Sequence, residues 1–90
     1  MKYKVSVLKT DIKKGVCGDS AKCAVARAMN RDCKTAGSEF RLFGLTGDYA
    51  PSGYTTVRPR FVVPKKVTAF IYDFDDGFKT LKPFSFTVIL

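Results

Sequence analysis

The sequence predicts a small two-layer α+β sandwich, and three observations support that fold class. Periodic segments follow one another in the order strand, helix, strand, strand, helix, strand. Both helical segments have one clean apolar face, and the segments nearly use up the 90 residues. This is the β-α-β-β-α-β order of the ferredoxin-like sandwich, in which two helices cover one face of a mostly antiparallel four-stranded sheet. We therefore expect a single α+β domain over residues 1–90, ferredoxin-like or a distorted relative.

The first third of the chain predicts a strand, a short turn and a helix. Residues 2–8 alternate between apolar and polar side chains, which is typical of a half-buried strand. Residues 10–15 predict a single helical turn or a loop closed by glycine. The helix is expected to begin at Asp19 or Ser20, because either side chain can accept from the free amides of an opening turn. Its apolar face consists of small residues at helical spacing, namely Ala21, Ala24, Val25, Ala28 and Met29.

The middle of the chain predicts a strand followed by a loop. Residues 39–45 form the second predicted strand, with Phe40 and Leu42 on one face. Residues 46–53 are dense in turn-forming residues, so we expect a loop between two strands, with Tyr49 exposed near its tip.

The last third predicts a strand, a helix and a final strand. Residues 54–63 contain Pro59, and because proline cannot donate to a strand ladder, this strand should lie at a sheet edge or carry a bulge. Pro64 opens the second helix, where a missing donor costs nothing. Residues 84–90 alternate and predict the last strand. The apolar positions of the second helix are Val67, Phe70, Ile71 and Phe74.

The chain is strongly basic, with 16 lysines and arginines against 8 carboxylates and a net charge of +8. Such an excess favours a nucleic acid or an acidic protein surface as partner, although it also serves plain solubility. If the apolar sets face the helices, the open sheet face collects basic side chains and one aromatic ring: Lys4, Arg41, Phe43, Arg58 and Arg60.

Cations of this kind can neutralise phosphates while a ring stacks a base. Our first hypothesis is therefore that the open face binds single-stranded nucleic acid. An ordinary solvated sheet face, whose long side chains cover apolar carbon, is the alternative.

Residues for catalysis are scarce. The chain has no histidine, which excludes Ser-His-Asp and Cys-His machinery and imidazole acid–base chemistry. Three cysteines, Cys17, Cys23 and Cys33, fall short of the four ligands of a structural zinc site, and no phosphate or dinucleotide loop is present. Cys17 lies before a helix start and near two lysines, so it is either a reactive thiol or a small apolar filler. We expect no enzyme, no cofactor and no metal.

The sequence also bears on location. The N-terminus lacks the apolar run of a secretory signal, and no stretch approaches the length of a membrane span. An odd number of cysteines without a signal favours free thiols in a reducing compartment. We expect a cytoplasmic protein with no membrane partner.

Two stretches carry a resemblance. One is Asp11-Ile12-Lys13-Lys14-Gly15 followed by Cys23-Ala24-Val25-Ala26; the other runs from Pro64 through Phe70-Ile71-x-x-Phe74-Asp75-x-Gly77 to Lys82-Pro83-Phe84-Ser85-Phe86. They resemble a group of short uncharacterised bacteriophage and bacterial proteins with an I-x-x-G…C-P-x-A-x-A start and an F-I-x-x-F-D-x-G…P-F-x-F end. Ala24 replaces the proline of that pattern here. The resemblance implies a phage-type accessory protein in bacterial host cytoplasm, and it transfers no activity.

A second hypothesis is a protein-interaction module, for example a phage inhibitor of a host or defence protein. Exposed aromatic residues would then be the anchors, and the candidates are Tyr49, Tyr54 and Tyr72. An edge strand with free donors could also pair two copies into a homodimer.

Overall fold

The computed structural model describes residues 2–33, 39–50, 58–77 and 81–90. Within these ranges the chain forms five strands and three helices. In chain order they are β1 (Lys2–Val7), α1 (Lys9–Lys14), α2 (Ala24–Asp32), β2 (Phe40–Leu42), β3 (Thr46–Tyr49), β4 (Arg60–Val62), α3 (Lys65–Asp75) and β5 (Phe84–Ile89). The predicted α+β class is confirmed.

The strands of the described ranges form two antiparallel sheets. β1 pairs with β5, and β2, β3 and β4 form a three-stranded sheet in that order. The single four-stranded sheet and the ferredoxin-like strand order are therefore not confirmed. Helix α2 contacts β1, β2, α1 and α3, so it connects the two sheets.

The last residues of α2 occupy the edges of both sheets. The Asn30 side chain accepts from the Phe40 N–H at 3.0 Å, on the edge of β2. On β1, the Ser6 N–H donates to the Asp32 carboxylate at 2.9 Å, and Arg31 donates to the Ser6 carbonyl at 2.6 Å. Backbone groups at a sheet edge need partners. Here side chains of one helix supply them, in the place of a neighbouring strand.

A hairpin stands where a loop was expected. Gly44 has a φ of +95°, and the Phe43 N–H donates to the Thr46 carbonyl at 2.9 Å. A glycine with positive φ is typical of the two-residue turn that joins adjacent antiparallel strands. The loop expectation is thus wrong for Thr46–Tyr49, which is strand β3; residues 51–53 lie outside the described ranges.

Helix α2 begins later than expected. The Asp19 carboxylate accepts from the amides of Ala21 and Lys22 at 2.9 and 3.1 Å, which forms a turn of its own before the helix. Cys23 is the N-cap, and its sulfur accepts from the Ala26 N–H at 3.4 Å. The predicted apolar face is confirmed for four of its residues, which are at most 1% exposed: Ala24, Val25, Ala28 and Met29.

The edge position of the strand that contains Pro59 is confirmed within the described part of the chain. β4 is the outer strand of its sheet, and the Pro59 carbonyl accepts from the Tyr49 N–H at 3.2 Å. Phe61 and Val63 are buried, while Arg60 on the opposite face of the strand is exposed, as the alternation predicted. Residues 54–57 of the predicted strand lie outside the described ranges.

A buried carboxylate ties α1 to α2 and β1. Asp11 is 1% exposed, and its oxygens accept from Arg31 at 3.0 Å and from the Leu8 N–H at 2.9 Å. The same guanidinium reaches Ser6 of β1. This carboxylate fixes the arginine that in turn holds the edge of β1.

Asp11→Ala should destabilise the fold by about 2–4 kcal/mol, because it leaves the Leu8 N–H and one side of Arg31 without a partner. Arg31 is 39% exposed, so solvent moderates the loss. The measurement is the free energy of unfolding in urea, with Asp73→Ala as the control because Asp73 is exposed on α3. Equal stability of the two variants would contradict the structural role assigned to Asp11.

Candidate partner-binding surface

One face of the three-stranded sheet points to solvent, and we call it the outer face. The register places Arg41, Asp48 and Arg60 opposite one another across three strands, and Thr46 opposite Val62. Residues in register share a face, and so do residues two apart on a strand. The outer face therefore carries Arg41, Phe43, Thr46, Asp48, Arg60 and Val62.

Asp48 is the centre of the basic half of this face. It is 4% exposed and accepts from Arg41 at 2.8 and 2.9 Å and from Arg58 at 2.9 Å. Donation from the Arg41 guanidinium, helped by Arg58 and partly opposed by burial, lowers the pKa of Asp48 below its ordinary value. One carboxylate therefore neutralises part of the charge of two predicted phosphate-binding arginines.

Phe43 and Arg41 form a stacked pair on the outer face. The Arg41 guanidinium lies 5.4 Å from the centroid of the Phe43 ring, and that ring is 54% exposed. A guanidinium over an aromatic ring is a favourable cation–π contact. The exposed Phe43 ring therefore lies beside the ion pair of Arg41 with Asp48.

The structure brings together four of the five predicted anion-binding residues. Arg58 joins the outer face through its bond to Asp48, and Arg60 is exposed with no carboxylate partner among the described residues. Lys4 lies on the other sheet, opposite Thr87 of β5. The basic surface is therefore smaller than the sequence predicted.

The other half of the outer face is apolar and continues into a groove against α3. Leu45 is 69% exposed, Val62 is 79% exposed and Tyr72 of α3 is 53% exposed. The groove has a volume of about 740 Å³, and Lys65 is the one charged side chain among the described residues that line it. We call it the apolar groove. Its walls include Leu45, Val62, Pro64, Lys65, Ala69 and Tyr72.

Two contacts hold α3 against the β2–β3 turn and so shape this groove. The Thr68 hydroxyl donates to the Gly44 carbonyl at 2.8 Å. A Cβ placed on Gly44 would lie 3.0 Å from the Tyr72 hydroxyl, so the missing side chain allows Tyr72 to approach the turn. The groove is thus fixed by the hairpin that the sequence analysis missed.

The three predicted tyrosine anchors have different positions. Tyr72 is exposed at the apolar groove. Tyr49 is half-buried on the inner face, where its ring stacks on Phe40 with centroids 5.3 Å apart, so the expectation of an exposed Tyr49 is wrong. Tyr54 lies outside the described residues.

No described residue pairs with the outer side of the β4 backbone. The Val63 N–H donates to the Leu45 carbonyl at 3.0 Å, and the Pro59 carbonyl accepts from Tyr49. The backbone N–H and carbonyl groups of the odd-numbered residues therefore point toward β3. Strand hydrogen bonding alternates, so the N–H and carbonyl groups of Arg60 and Val62 point away from the sheet. Within the described ranges these groups have no hydrogen-bond partner. This open edge borders the apolar groove at Val62.

No metal-binding cluster is found among the residues that the structure describes. They contain no group of three residues able to hold a metal ion. Burial raises the pKa of the Cys33 thiol to about 11 and raises that of Cys23. Cys17 is exposed, and its thiol donates to the Phe74 carbonyl at 3.1 Å. All three thiols are free.

Two further findings concern membrane insertion and similarity to known proteins. None of the helices in the described ranges has the length and apolar character that crossing a bilayer requires. Comparison with protein-family models, curated proteins and solved structures finds no match to this chain.

The residues that sequence reasoning missed are Asp48, Leu45 and Val62. The sequence pattern places Asp48 in a loop and Leu45 at the end of a strand. A two-residue turn at Gly44 was the available signal, because it pairs residue 41 with residue 48 and so places an arginine opposite an aspartate.

Asp48→Asn should lower the free energy of unfolding by about 1–3 kcal/mol at neutral pH, because the three charge-assisted hydrogen bonds from Arg41 and Arg58 weaken or are lost. The folded-state pKa of Asp48 is lowered, so its contribution is present above the ordinary value of 3.8 and is lost as the pH falls through the folded-state value. Urea unfolding of both proteins between neutral pH and pH below 3.8 checks this. A stability difference that stays constant over this range would contradict it.

Proposed function

We propose that the protein is a non-enzymatic interaction module that binds a partner protein through the apolar groove and the adjoining outer face. The observation that carries this proposal is the exposure of Leu45, Val62 and Tyr72 around one groove. Contiguous exposed apolar surface on a small protein marks an interaction site, and aromatic residues dominate the centres of protein interfaces.

A protein partner suits this surface better than a nucleic acid. Phosphate-binding surfaces depend on unpaired cations, whereas Arg41 and Arg58 share the buried carboxylate of Asp48. The groove has one charged wall residue, Lys65, and its other described walls are uncharged. Such a composition resembles the core of a protein interface with a polar rim.

The resemblance to bacteriophage and bacterial proteins supports a bacterial cell as the setting in which the protein acts. We infer a phage-type accessory protein that acts in the bacterial host cytoplasm on a host or defence protein. The antiparallel pairing of the first strand with the last supports a distorted relative of the ferredoxin-like sandwich as the fold.

Leu45→Asp should abolish partner binding, because it places a charge in the apolar groove without touching the core. Ile89→Asp is the matched control, since Ile89 is an equally exposed apolar residue (69%) on the other sheet. Tagged wild-type and variant proteins are used as baits in bacterial lysate with and without nuclease treatment, and the captured protein is identified, purified and titrated against each bait.

The expected outcome is a defined complex with the wild type and with Ile89→Asp, and none with Leu45→Asp. A partner that binds all three baits equally does not use the groove, and one that disappears on nuclease treatment is held by nucleic acid. Either result would overturn the proposed function.

A second candidate function is binding of single-stranded nucleic acid by the basic half of the outer face. The observation that favours it is the alignment of Arg41 and Arg60 on one face beside the exposed ring of Phe43. Arg41 and Arg58 share the carboxylate of Asp48, and Arg60 adds a further positive charge to the same face, which leaves an excess of positive charge. A stacked arginine can also present its plane to a base.

If this candidate holds, Arg60→Ala should reduce the slope of log affinity against log salt by about one unit, because one phosphate contact is lost. Fluorescence anisotropy with a labelled single-stranded oligonucleotide measures it. Lys14→Ala is the control, since Lys14 is exposed on α1 away from this face. Equal slopes for the wild type and both variants would exclude the outer face as the phosphate-binding surface.

A further inference from the structure

We propose that the partner contributes an extended acidic segment, which adds as a strand to the open edge of β4 and places one apolar side chain in the apolar groove. This inference rests on the proposed function, because it names the part of a partner protein that the groove and the outer face would receive. The partner segment is defined by its chemistry: an extended backbone, acidic side chains and one apolar anchor.

The backbone of β4 supplies the first step. Arg60 and Val62 each direct an N–H and a carbonyl group away from β3, and neither residue has a partner for them within the described ranges. The opposite edge of the same sheet is different, because Phe40 donates to the Asn30 side chain and Leu42 donates to the Ser20 carbonyl at 2.9 Å. Within the residues that the structure describes, the edge of β2 is therefore closed and that of β4 is left able to accept a strand.

The length of the open edge supplies the second step. Pro64 lacks an N–H, so pairing on the outer side ends at Val62. Two residues with two donors and two acceptors hold an added strand only weakly, since each backbone hydrogen bond contributes little net affinity in water. Affinity must come from a side chain in the adjoining groove, where Val62 is a wall. The partner segment must therefore be extended, so that it can pair with the short edge, and it must carry an apolar side chain that enters the groove.

Charge supplies the third step. Arg60 is exposed on the edge strand, and Lys65 is exposed at the wall of the groove. The chain has a net charge of +8, so pairing of β4 with β4 of a second copy would bring two strongly basic molecules together. The same positive charge attracts an acidic segment.

The test uses an array of short synthetic peptides that alternate glutamate with valine and carry one phenylalanine at varied positions. Binding to the purified protein is measured by fluorescence anisotropy at low salt, with lysine-for-glutamate versions of every peptide as controls. We expect a subset of the acidic peptides to bind and their lysine versions not to bind. Failure of every acidic peptide, or equal binding by the lysine versions, would overturn the inference.

Blocked hydrogen bonds then identify strand addition. N-methylation of the alternate peptide amides that face β4 should weaken binding about tenfold or more, whereas N-methylation of the other amides should be tolerated. On the protein side, Val62→Pro removes an outward N–H that β3 does not use, and Val62→Thr keeps that N–H as the matched control. Circular dichroism confirms that both variants fold.

The outcomes separate the inference from the proposed function. Loss of binding with Leu45→Asp, together with full binding by both N-methylated peptides, leaves the groove as the site and overturns strand addition. Equal binding by Leu45→Asp and the wild type removes the groove itself, and the proposed function is lost with it. Sensitivity to the groove variant, to one N-methylation pattern and to Val62→Pro supports both.

Discussion

The constraint on which the structure depends is the need to pair the backbone groups at the edges of two small sheets. The last turn of α2 meets it on both sides: Asn30 accepts from Phe40 of β2, while Arg31 and Asp32 bond the two backbone groups of Ser6 in β1. Each bond is modest in water, but an unpaired buried amide is costly. The end of α2 therefore bonds edge residues of both β1 and β2, which belong to separate sheets among the described strands.

This arrangement decides which surface is left for a partner. With the edge of β2 closed, the described residues leave the outer face of the three-stranded sheet and the edge of β4 uncovered. The tight turn at Gly44 brings Leu45 beside α3, so the edge and the apolar groove meet at Val62. Asp48 draws two arginines into a local ion-pair network, which gives the basic half of the face a structural role. The proposed interaction surface is therefore mainly apolar, with a cationic rim.

The sequence was sufficient to predict which side chains of a helix or strand are buried, but it was insufficient to predict which strands pair with each other. Helical spacing predicted the buried face of α2, and strand alternation predicted that Phe61 and Val63 point inward, because burial of apolar side chains follows the period of the element. The turn at Gly44 was missed because threonine, glycine and aspartate after it are typical of loops, although here tertiary pairing made them a strand. The role of Asn30 depends on a contact across ten positions of the sequence, which periodicity does not contain.

The most direct measurement is amide hydrogen exchange of the free protein at residue resolution. If α2 closes the edges of β1 and β2 while that of β4 stays open, the amides of Ser6 and Phe40 exchange slowly, and those of Arg60 and Val62 exchange close to the rate of an exposed strand. Phe61 between them should be protected, because its amide faces β3. Protection of Arg60 and Val62 equal to that of Phe40 would contradict the open edge and the binding surface built on it.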